Sequence, residues 1–431
     1  MRLNVYFCKT VLAGVALLGS HLSLAMQPFA EGNLSASASA SAIAATNQDI
    51  YLDALQAINE KRQKDAKEAL VKLVEREPQH AGALLDLAII QCELGNKAEA
   101  ERLFQLMISR FAPPPAIVEI IDRHRTSGCT APQPHSQYSV LLENGFDSNV
   151  NQGASNPNFV LGNAGSQISV QIPPEHLPKA DHFTSLSIDY MRDVFSNGSS
   201  GFLQLRSRQY NHLSEFDTNI AAIGFESPWR VYDWTIRTSM MASMLTLDKR
   251  LYQKQNILQI RITPPLNLPN NLRFSILGST TRARYPTLTN YDATTSEVRG
   301  MFTAQTPAHQ LQASAGWLTD QGKDNRLGGN RKGWAANIQF KARLVDQFLG
   351  ESVFGELGWY RQLWQSEKIY SPGIINQARR QDTTVFRAAI NMPLNEHHII
   401  QLEARRTFNR ENISYFTYNS HALQLSWQWL Q

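Results

Sequence analysis

The stretch Trp234–Leu245, WTIRTSMMASML, decides the fold. Trp234, Ile236, Met240, Ala242 and Met244 alternate with Thr235, Arg237, Ser239, Met241 and Ser243. Successive side chains on a strand point to opposite faces, so such a segment has one apolar and one polar side. The same period of two recurs at Leu258, Ile260 and Ile262, set against Gln259, Arg261 and Thr263. It recurs again at Leu311, Ala313, Ala315 and Trp317. Alternating segments of about ten residues, split by turn residues, mark a transmembrane β-barrel. Closure lets such a barrel cross lipid because every backbone donor and acceptor is paired. A large soluble all-β domain also alternates, so the connections must arbitrate.

Strands are expected near residues 138–146, 182–195, 201–210, 216–225, 232–245, 253–263, 272–283, 291–304, 309–318, 332–344, 351–364, 383–392, 398–408 and 418–429. That makes about 14, an even number, as single-chain bacterial barrels require. A long connection, Asp147–Asp181, follows the first strand, and a tight one, Ser196–Ser200, follows the second. Further short turns read Glu226-Ser227-Pro228, Thr306-Pro307-Ala308 and Pro393-Leu394-Asn395, and further long ones Asp320–Arg331 and Gln365–Asp382. Long connections outside and short ones inside are the habit of outer-membrane barrels; a soluble sandwich has no reason to follow it. Trp229, Tyr232, Trp317, Trp334, Trp359, Trp364, Trp427 and Trp429 sit near strand ends, where interfacial girdles would place them. The chain closes on Trp429-Leu430-Gln431, a variant of the usual aromatic ending.

Bulk properties agree. Over 431 residues the hydrophobic share is 42% and the mean hydropathy −0.32, which excludes a polytopic helical membrane protein but not a barrel with a polar interior. A net charge of +4 is too mild to argue for a nucleic-acid partner. Residues 1–25 read as a secretory signal: Arg2 and Lys9, an apolar core Val11–Leu18, then Ser23-Leu24-Ala25 at the cleavage position. Residues 26–48, rich in Ser and Ala, read as a flexible linker.

From Asp49 to Arg125 the pattern turns helical. Ala54 and Ala88 are 34 residues apart, as are Ala66 and Ala100, Leu70 and Phe104, and Leu73 and Met107. That is the tetratricopeptide period. Gly95-Asn96 falls at the turn between paired helices, Pro78 closes the first repeat and Pro113-Pro114-Pro115 the second; residues 116–125 form a candidate capping helix. Such stacks mostly bind partners, and Ile50, Ala54, Ile58, Leu84, Leu87 and Gln91 are candidate contact residues for a cargo protein. The other reading is a plain brace for the barrel. Residues 126–135 read as a second linker. Of three cysteines, Cys8 leaves with the signal; Cys92 and Cys129 remain, either bridged or as two small separate hydrophobes.

The polar faces carry Arg206, Arg237, Arg261, Arg343, Arg405 and Glu403 as candidate lumen residues. They fit a charged, watery lumen, a plug held by ion pairs, or simple pairing across strands. No H-E-x-x-H, G-x-S-x-G, P-loop or C-x-x-C is present, so neither an enzyme, a metal site nor a cofactor is expected.

Three strings carry a family resemblance. LLENGFDSNVN (Leu141–Asn151) has a glycine-aromatic strand ending in Asp147-x-Asn149-x-Asn151. RRTFNRENISYFTY (Arg405–Tyr418) has a basic run with Arg406, then Asn412-Ile413, then aromatics up to Tyr418, with Glu411 where serine is usual. Arg380-Gln381-Asp382 is the third. With a signal, a short tetratricopeptide domain and a 14-stranded barrel, the chain resembles the surface lipoprotein assembly modifiers (Slam), the outer-membrane proteins of type XI secretion. The resemblance implies an α+β multi-domain protein whose N-terminal α-helical solenoid lies in the periplasm and whose barrel sits in the outer membrane of a Gram-negative bacterium. It implies a translocator for a cargo protein, a lipoprotein or a small secreted protein, and no catalytic residues. Outer-membrane lipid and the barrel assembly machinery are the other expected partners. A surface factor acting through its outer loops in host association or ligand contact, and a polysaccharide export porin, are the alternatives; the latter usually has more repeats and a wider barrel.

Overall fold

The computed structural model describes residues 41–59, 62–111, 113–129, 136–161, 168–195, 197–266, 268–269, 271–306, 308–323, 325–348 and 351–431. The segment read as a signal, 1–25, lies outside them. The described residues form two units, a helical stack and a barrel.

The helical unit contains α1 (Ser41–Asn59), α2 (Gln63–Arg76), α3 (Ala81–Glu93), α4 (Lys97–Phe111) and α5 (Pro115–Ser127). Helix α1 begins inside the stretch read as a flexible linker; its alanine-rich start is good helix-forming sequence, which the low complexity obscured. His80 caps α3, its Nδ1 accepting from the Ala83 N–H at 3.0 Å. Gly95, at φ +81°, makes the turn into α4 in a backbone conformation that suits glycine. A proline opens α5, where its missing N–H costs nothing. The core explains the repeat spacing: Ala54, Ala66, Ala88 and Ala100 are fully buried, so paired helices close up, while Leu70, Leu73, Phe104 and Met107 fill the space between them. Cys92 and Cys129 are joined by a disulfide that ties the end of α3 to the chain after α5 across 37 residues.

The barrel contains β1 (Ser136–Asp147), then a small hairpin of β2 (Asn158–Leu161) and β3 (Ile168–Gln171), then β4 (Asp181–Asp193), β5 (Ser200–Tyr210), β6 (Thr218–Val231), β7 (Trp234–Leu247), β8 (Arg250–Thr263), β9 (Leu272–Arg284), β10 (Ala293–Gln305), β11 (His309–Gly322), β12 (Arg331–Phe348), β13 (Glu351–Ser371), β14 (Ile375–Pro393), β15 (His398–Glu411) and β16 (Tyr418–Leu430). All but β2 and β3 form one closed antiparallel ring, each strand beside its neighbour in sequence and β1 beside β16. That is the 14-strand barrel expected above. The closing seam runs from Ser139 opposite Leu430 to Asp147 opposite Ala422. Tyr138 and Gln431 exchange both backbone hydrogen bonds, at 2.9 and 3.0 Å, so the last residue is paired whatever its side chain.

Two connections differ from the sequence reading. The turn expected at Glu226-Ser227-Pro228 lies further on, at Tyr232-Asp233, because β6 stays in register with β7 past the proline, with Ser227 opposite Thr238, Trp229 opposite Ile236 and Val231 opposite Trp234. A proline near a strand end forfeits one donor only. The loop expected at Gln365–Asp382 is mostly a hairpin, since β13 and β14 run on to a turn at Gly373, φ +85°. A register shift between Gln365 and Ile369 breaks the alternation there and hid the strand. By contrast, Asp248 and Lys249 alone join β7 to β8, both at positive φ (49° and 60°), the backbone of a tight two-residue hairpin.

The two faces of the wall are chemically distinct. Outward-pointing Ile223, Met240, Met244, Leu258, Val298, Leu357, Leu423 and Leu425 are exposed. Trp229, Trp234 and Trp427 face outward toward one end of the wall, and Trp317 and Trp334, opposite each other in register, toward the other. Trp364 departs from this belt. It points inward, buried with Leu318 and Ala335. A closed wall that is apolar outside and polar inside is built to stand in lipid.

Breaking the disulfide releases a loop of this length in the unfolded chain, so reduction, or Cys129→Ser, is expected to cost the helical unit roughly 3–4 kcal/mol. Urea titration of the chain followed by helical circular dichroism, with and without reductant, checks this. Asp86 offers a second test. Burial raises its pKa, although the Tyr51 hydroxyl donates to it at 2.9 Å. A raised carboxyl stabilises the fold below its unfolded pKa and loses that contribution as pH rises through the folded value. Asp86→Asn is therefore expected to raise the melting temperature at pH 8 and leave it little changed at pH 3.

Candidate functional site

The helical candidates come first. Ala54, Leu84, Leu87 and Gln91 are buried, and Ile50 and Ile58 pack partly buried against the same core. All six build the stack, and none of the four buried ones is free to meet a partner. Gln91 holds the turn after α3, accepting from Asn96 Nδ2 at 2.7 Å. Periodicity finds residues that face a neighbouring helix; it does not tell the inner face of a stack from an open one.

The interior candidates lie on the inward face. Arg237 Nη1 donates to Glu226 across β6 and β7 at 2.6 Å, and Arg261 lies opposite Arg237 in register. Arg206 Nε donates to Ser187 Oγ at 2.9 Å. Arg343 meets Asp346 at 3.2 Å. Arg405 lies opposite Arg387. Arg387, which the sequence reading passed over, organises the densest patch, donating to Glu403 at 2.6 Å and to Glu356 at 2.8 Å across three strands.

The family-like motif residues do something more specific. They lie at the end of the barrel opposite the β1 N-terminus, where they stitch the connections together. Asp147 Oδ1 accepts from the Asn149 N–H at 2.9 Å and from Ser420 Oγ at 2.7 Å. Asn149, 2% exposed, donates to the carbonyls of Gly153 and Asn419, both at 3.0 Å, and accepts from the Gly153 N–H at 2.7 Å. Asn151 donates to the Leu177 carbonyl at 2.8 Å and accepts from the Lys179 N–H at 2.9 Å, tying the start of the 148–180 connection to its end. Asn412 accepts from the Arg380 N–H and donates to the Ala378 carbonyl, each at 2.8 Å. Tyr418 opens β16, opposite Asn409. Arg406 is different: it points outward, its guanidinium 5.1 Å from the Phe408 ring. Gly145 also has a reason. A Cβ there would lie 2.7 Å from the buried Phe183 ring.

Above the strands these connections converge. Tyr370, Ile413 and Phe416 form a buried cluster joined by Phe159, Leu327, Ile375 and Tyr415. Four separate connections contribute to it. An ion pair underlies it: Arg379 donates through Nε and Nη2 to both Glu411 oxygens at 2.6 and 2.7 Å, and its guanidinium lies 4.1 Å from the Phe416 ring. The Glu411 side chain is fully buried. Asn409, 1% exposed, donates to the Phe416 carbonyl at 2.7 Å. Nearby, Asp320 accepts from Arg326 at 2.7 Å and from Arg331 Nε at 2.8 Å, which draws the 323–330 connection down. The arrangement is a latch: aromatic rings held over a buried ion pair that cannot part without leaving a charge in an apolar setting. Sequence reading missed Arg379 and Asp320. The one available signal was Glu411 standing in place of serine, because its cation lies on the adjacent strand.

A tetratricopeptide repeat family model matches residues 57–117, within the helical unit. No curated protein matches the sequence. Among solved structures, the chain is similar to OccAB3 of Acinetobacter baumannii, at 10% identity over 69% of this chain and 99% of that one, with a TM-score of 0.37. It is similar to OmpT of Vibrio cholerae at 8% identity over 70% and 99%, TM-score 0.37. It is similar to the anion-selective porin of Comamonas acidovorans at 6% identity over 69% and 100%, TM-score 0.37.

Glu411→Gln leaves Arg379 buried without its anion, a loss of roughly 3–5 kcal/mol by analogy with other broken buried pairs. The expected outcome is a barrel that still closes but whose 412–417 connection is cut by added protease at least tenfold faster. Unchanged cleavage would show that the ion pair does not hold the latch.

Proposed function

We propose that this chain is an outer-membrane translocator that delivers a protein partner, a lipoprotein or a small secreted protein, from the periplasm to the cell surface. In this reading the short-turn end of the barrel faces the periplasm, the helical stack receives the cargo or gates the barrel from that side, and the latch closes the outward exit. The chain performs no bond chemistry of its own. It depends on outer-membrane lipid around it and on the barrel assembly machinery to insert it. The observation that carries this is the coexistence, in one polypeptide, of a repeat stack of a partner-binding type with a barrel whose outer connections lock together over a buried ion pair. A solute pore needs neither a helical receiver nor a latch.

One feature favours a second reading, a surface factor that acts through its outer loops. Ile168 and Val170 on β3 are apolar and exposed, as a contact tip would be. The two readings are compatible if the tip holds cargo after exit.

The test is surface display. Cells lacking the protein are expected to retain its partner, a lipoprotein or secreted protein encoded beside it, inside the cell envelope, measured by antibody labelling of intact cells. Removing residues 49–125 alone should block display while the barrel still assembles. Display at the normal level in the null strain rules out the translocator reading; normal display with only the helices removed reduces them to a brace.

A further inference from the structure

The outward wall across β12–β16 carries a feature that the translocator reading leaves unused. A groove of about 640 Å³ runs along it, lined by Ile338, Leu357, Trp359, Phe386, Leu423 and Arg406 among others. The register explains its shape. At one level Leu357 lies opposite Ala388, Ala388 opposite Ala404, and Ala404 opposite Leu423. Two alanines side by side thin the wall between two leucines, leaving a trough the width of a hydrocarbon chain. One level toward the latch end, the row reads Ile338, Trp359, Phe386, Arg406 and His421. The trough therefore ends beneath a cation.

Beyond that row the outward face becomes basic. Lys332 shares the face of Trp334 two residues on, Arg361 lies opposite Ala336, Arg380 opposite Gln365, and Arg410 opposite Asp382. Asp382 pairs with Arg361 at 2.8 Å. Among the described residues no carboxylate pairs with Lys332, Arg380, Arg406 or Arg410. Unpaired cations on the outer wall are costly at mid-membrane and tolerated at the interface, where arginines take phosphate through parallel N–H donors. At a strand spacing of about 4.8 Å, the three intervals from β12 to β15 spread this charge over about 14 Å. One phosphate spans a fraction of that width.

We propose that this face binds a bis-phosphorylated, multiply acylated glycolipid of the outer leaflet, one acyl chain lying in the Ala388–Ala404 trough and the phosphates on Lys332, Arg406 and Arg410. Placing it in the outer leaflet rests on the orientation given above; the binding chemistry does not.

The test is native mass spectrometry of the full chain in detergent, titrated with lipid A, with chemically dephosphorylated lipid A and with phosphatidylglycerol. Lipid A is expected to bind at least tenfold tighter than either of the others. Replacing Lys332, Arg406 and Arg410 together with alanine should remove that preference. Ala404→Trp, which fills the trough and leaves every charge in place, should weaken lipid A binding at least tenfold. Folding of each variant is checked by heat-modifiable gel migration; if the triple variant fails it, Arg406→Gln alone is read instead and should weaken binding threefold or more. Equal affinity for the phosphorylated and dephosphorylated lipids overturns the proposal, as does an unaltered preference in a folded charge variant. Phosphatidylglycerol binding as tightly as lipid A overturns the two-phosphate assignment. No cargo enters this assay, so failure of the translocator reading leaves its result standing. Orientation is read separately, by labelling Ile168→Cys on intact cells with an impermeant thiol reagent: labelling supports the outer-leaflet placement, and its absence overturns that placement even where binding holds.

Discussion

Every backbone N–H and C=O in the wall must find its partner within the wall, because lipid offers none. A ring of antiparallel strands meets that demand only if its first and last members join. The β1–β16 seam therefore matters more than any single side-chain contact, and its pairing reaches to Gln431. The rest of the barrel follows from it. An even strand number keeps all neighbours antiparallel. Once the ring is closed, alternation divides residues into two populations, one exposed and apolar, the other turned inward where charges meet one another.

The same demand is met differently where the strands run out. Beyond the ladder, the connections need other partners for their peptide groups, and asparagine amides supply them. Asn149 donates to the carbonyls of Gly153 and Asn419, Asn151 accepts from the Lys179 N–H, Asn409 donates to the Phe416 carbonyl, and Asn412 donates to the Ala378 carbonyl. The side-chain amide carries a donor and an acceptor, so it imitates a peptide group and continues the pairing after regular register ends. This gives the Asp-x-Asn-x-Asn string a mechanical meaning: Asp147 and Asn149 fasten it to the start of β16, at Ser420 and Asn419, and Asn151 fastens it to the far end of its own connection, at Leu177 and Lys179. The aromatic cluster and the Arg379–Glu411 pair then add apolar burial and charge above this polar stitching.

Most of the fold was legible because its signal is repetitive. Fourteen segments with one rhythm, and helices repeating every 34 residues, average out local noise. The misreadings fall where rhythm fails. Pro228 reads as a stop but lies inside a strand, since β6 keeps its pairing with β7 on both sides of it, Ser227 opposite Thr238 and Trp229 opposite Ile236. The ends of β13 and β14 looked like loop because a register shift scrambles the pattern. Trp364 looked like a girdle residue because spacing along a strand does not reveal which face is wet. The latch was illegible for another reason. Its parts come from positions as far apart as Phe159 and Phe416, and only folding brings them together. The helical contact residues show the opposite case, in which the spacing was plain and its meaning was burial.

The uneven height of the wall has a consequence for its rim. β13 and β14 rise through 21 and 19 residues, while β7 and β8 stop at 14 each and are bridged by Asp248 and Lys249 alone. The rim is thus a parapet on one flank and a sill on the other. The rim therefore slants, its lip lowest at the Asp248-Lys249 turn and highest at the Gly373 turn, so the wall is cut obliquely, like the mouth of a jug with a spout.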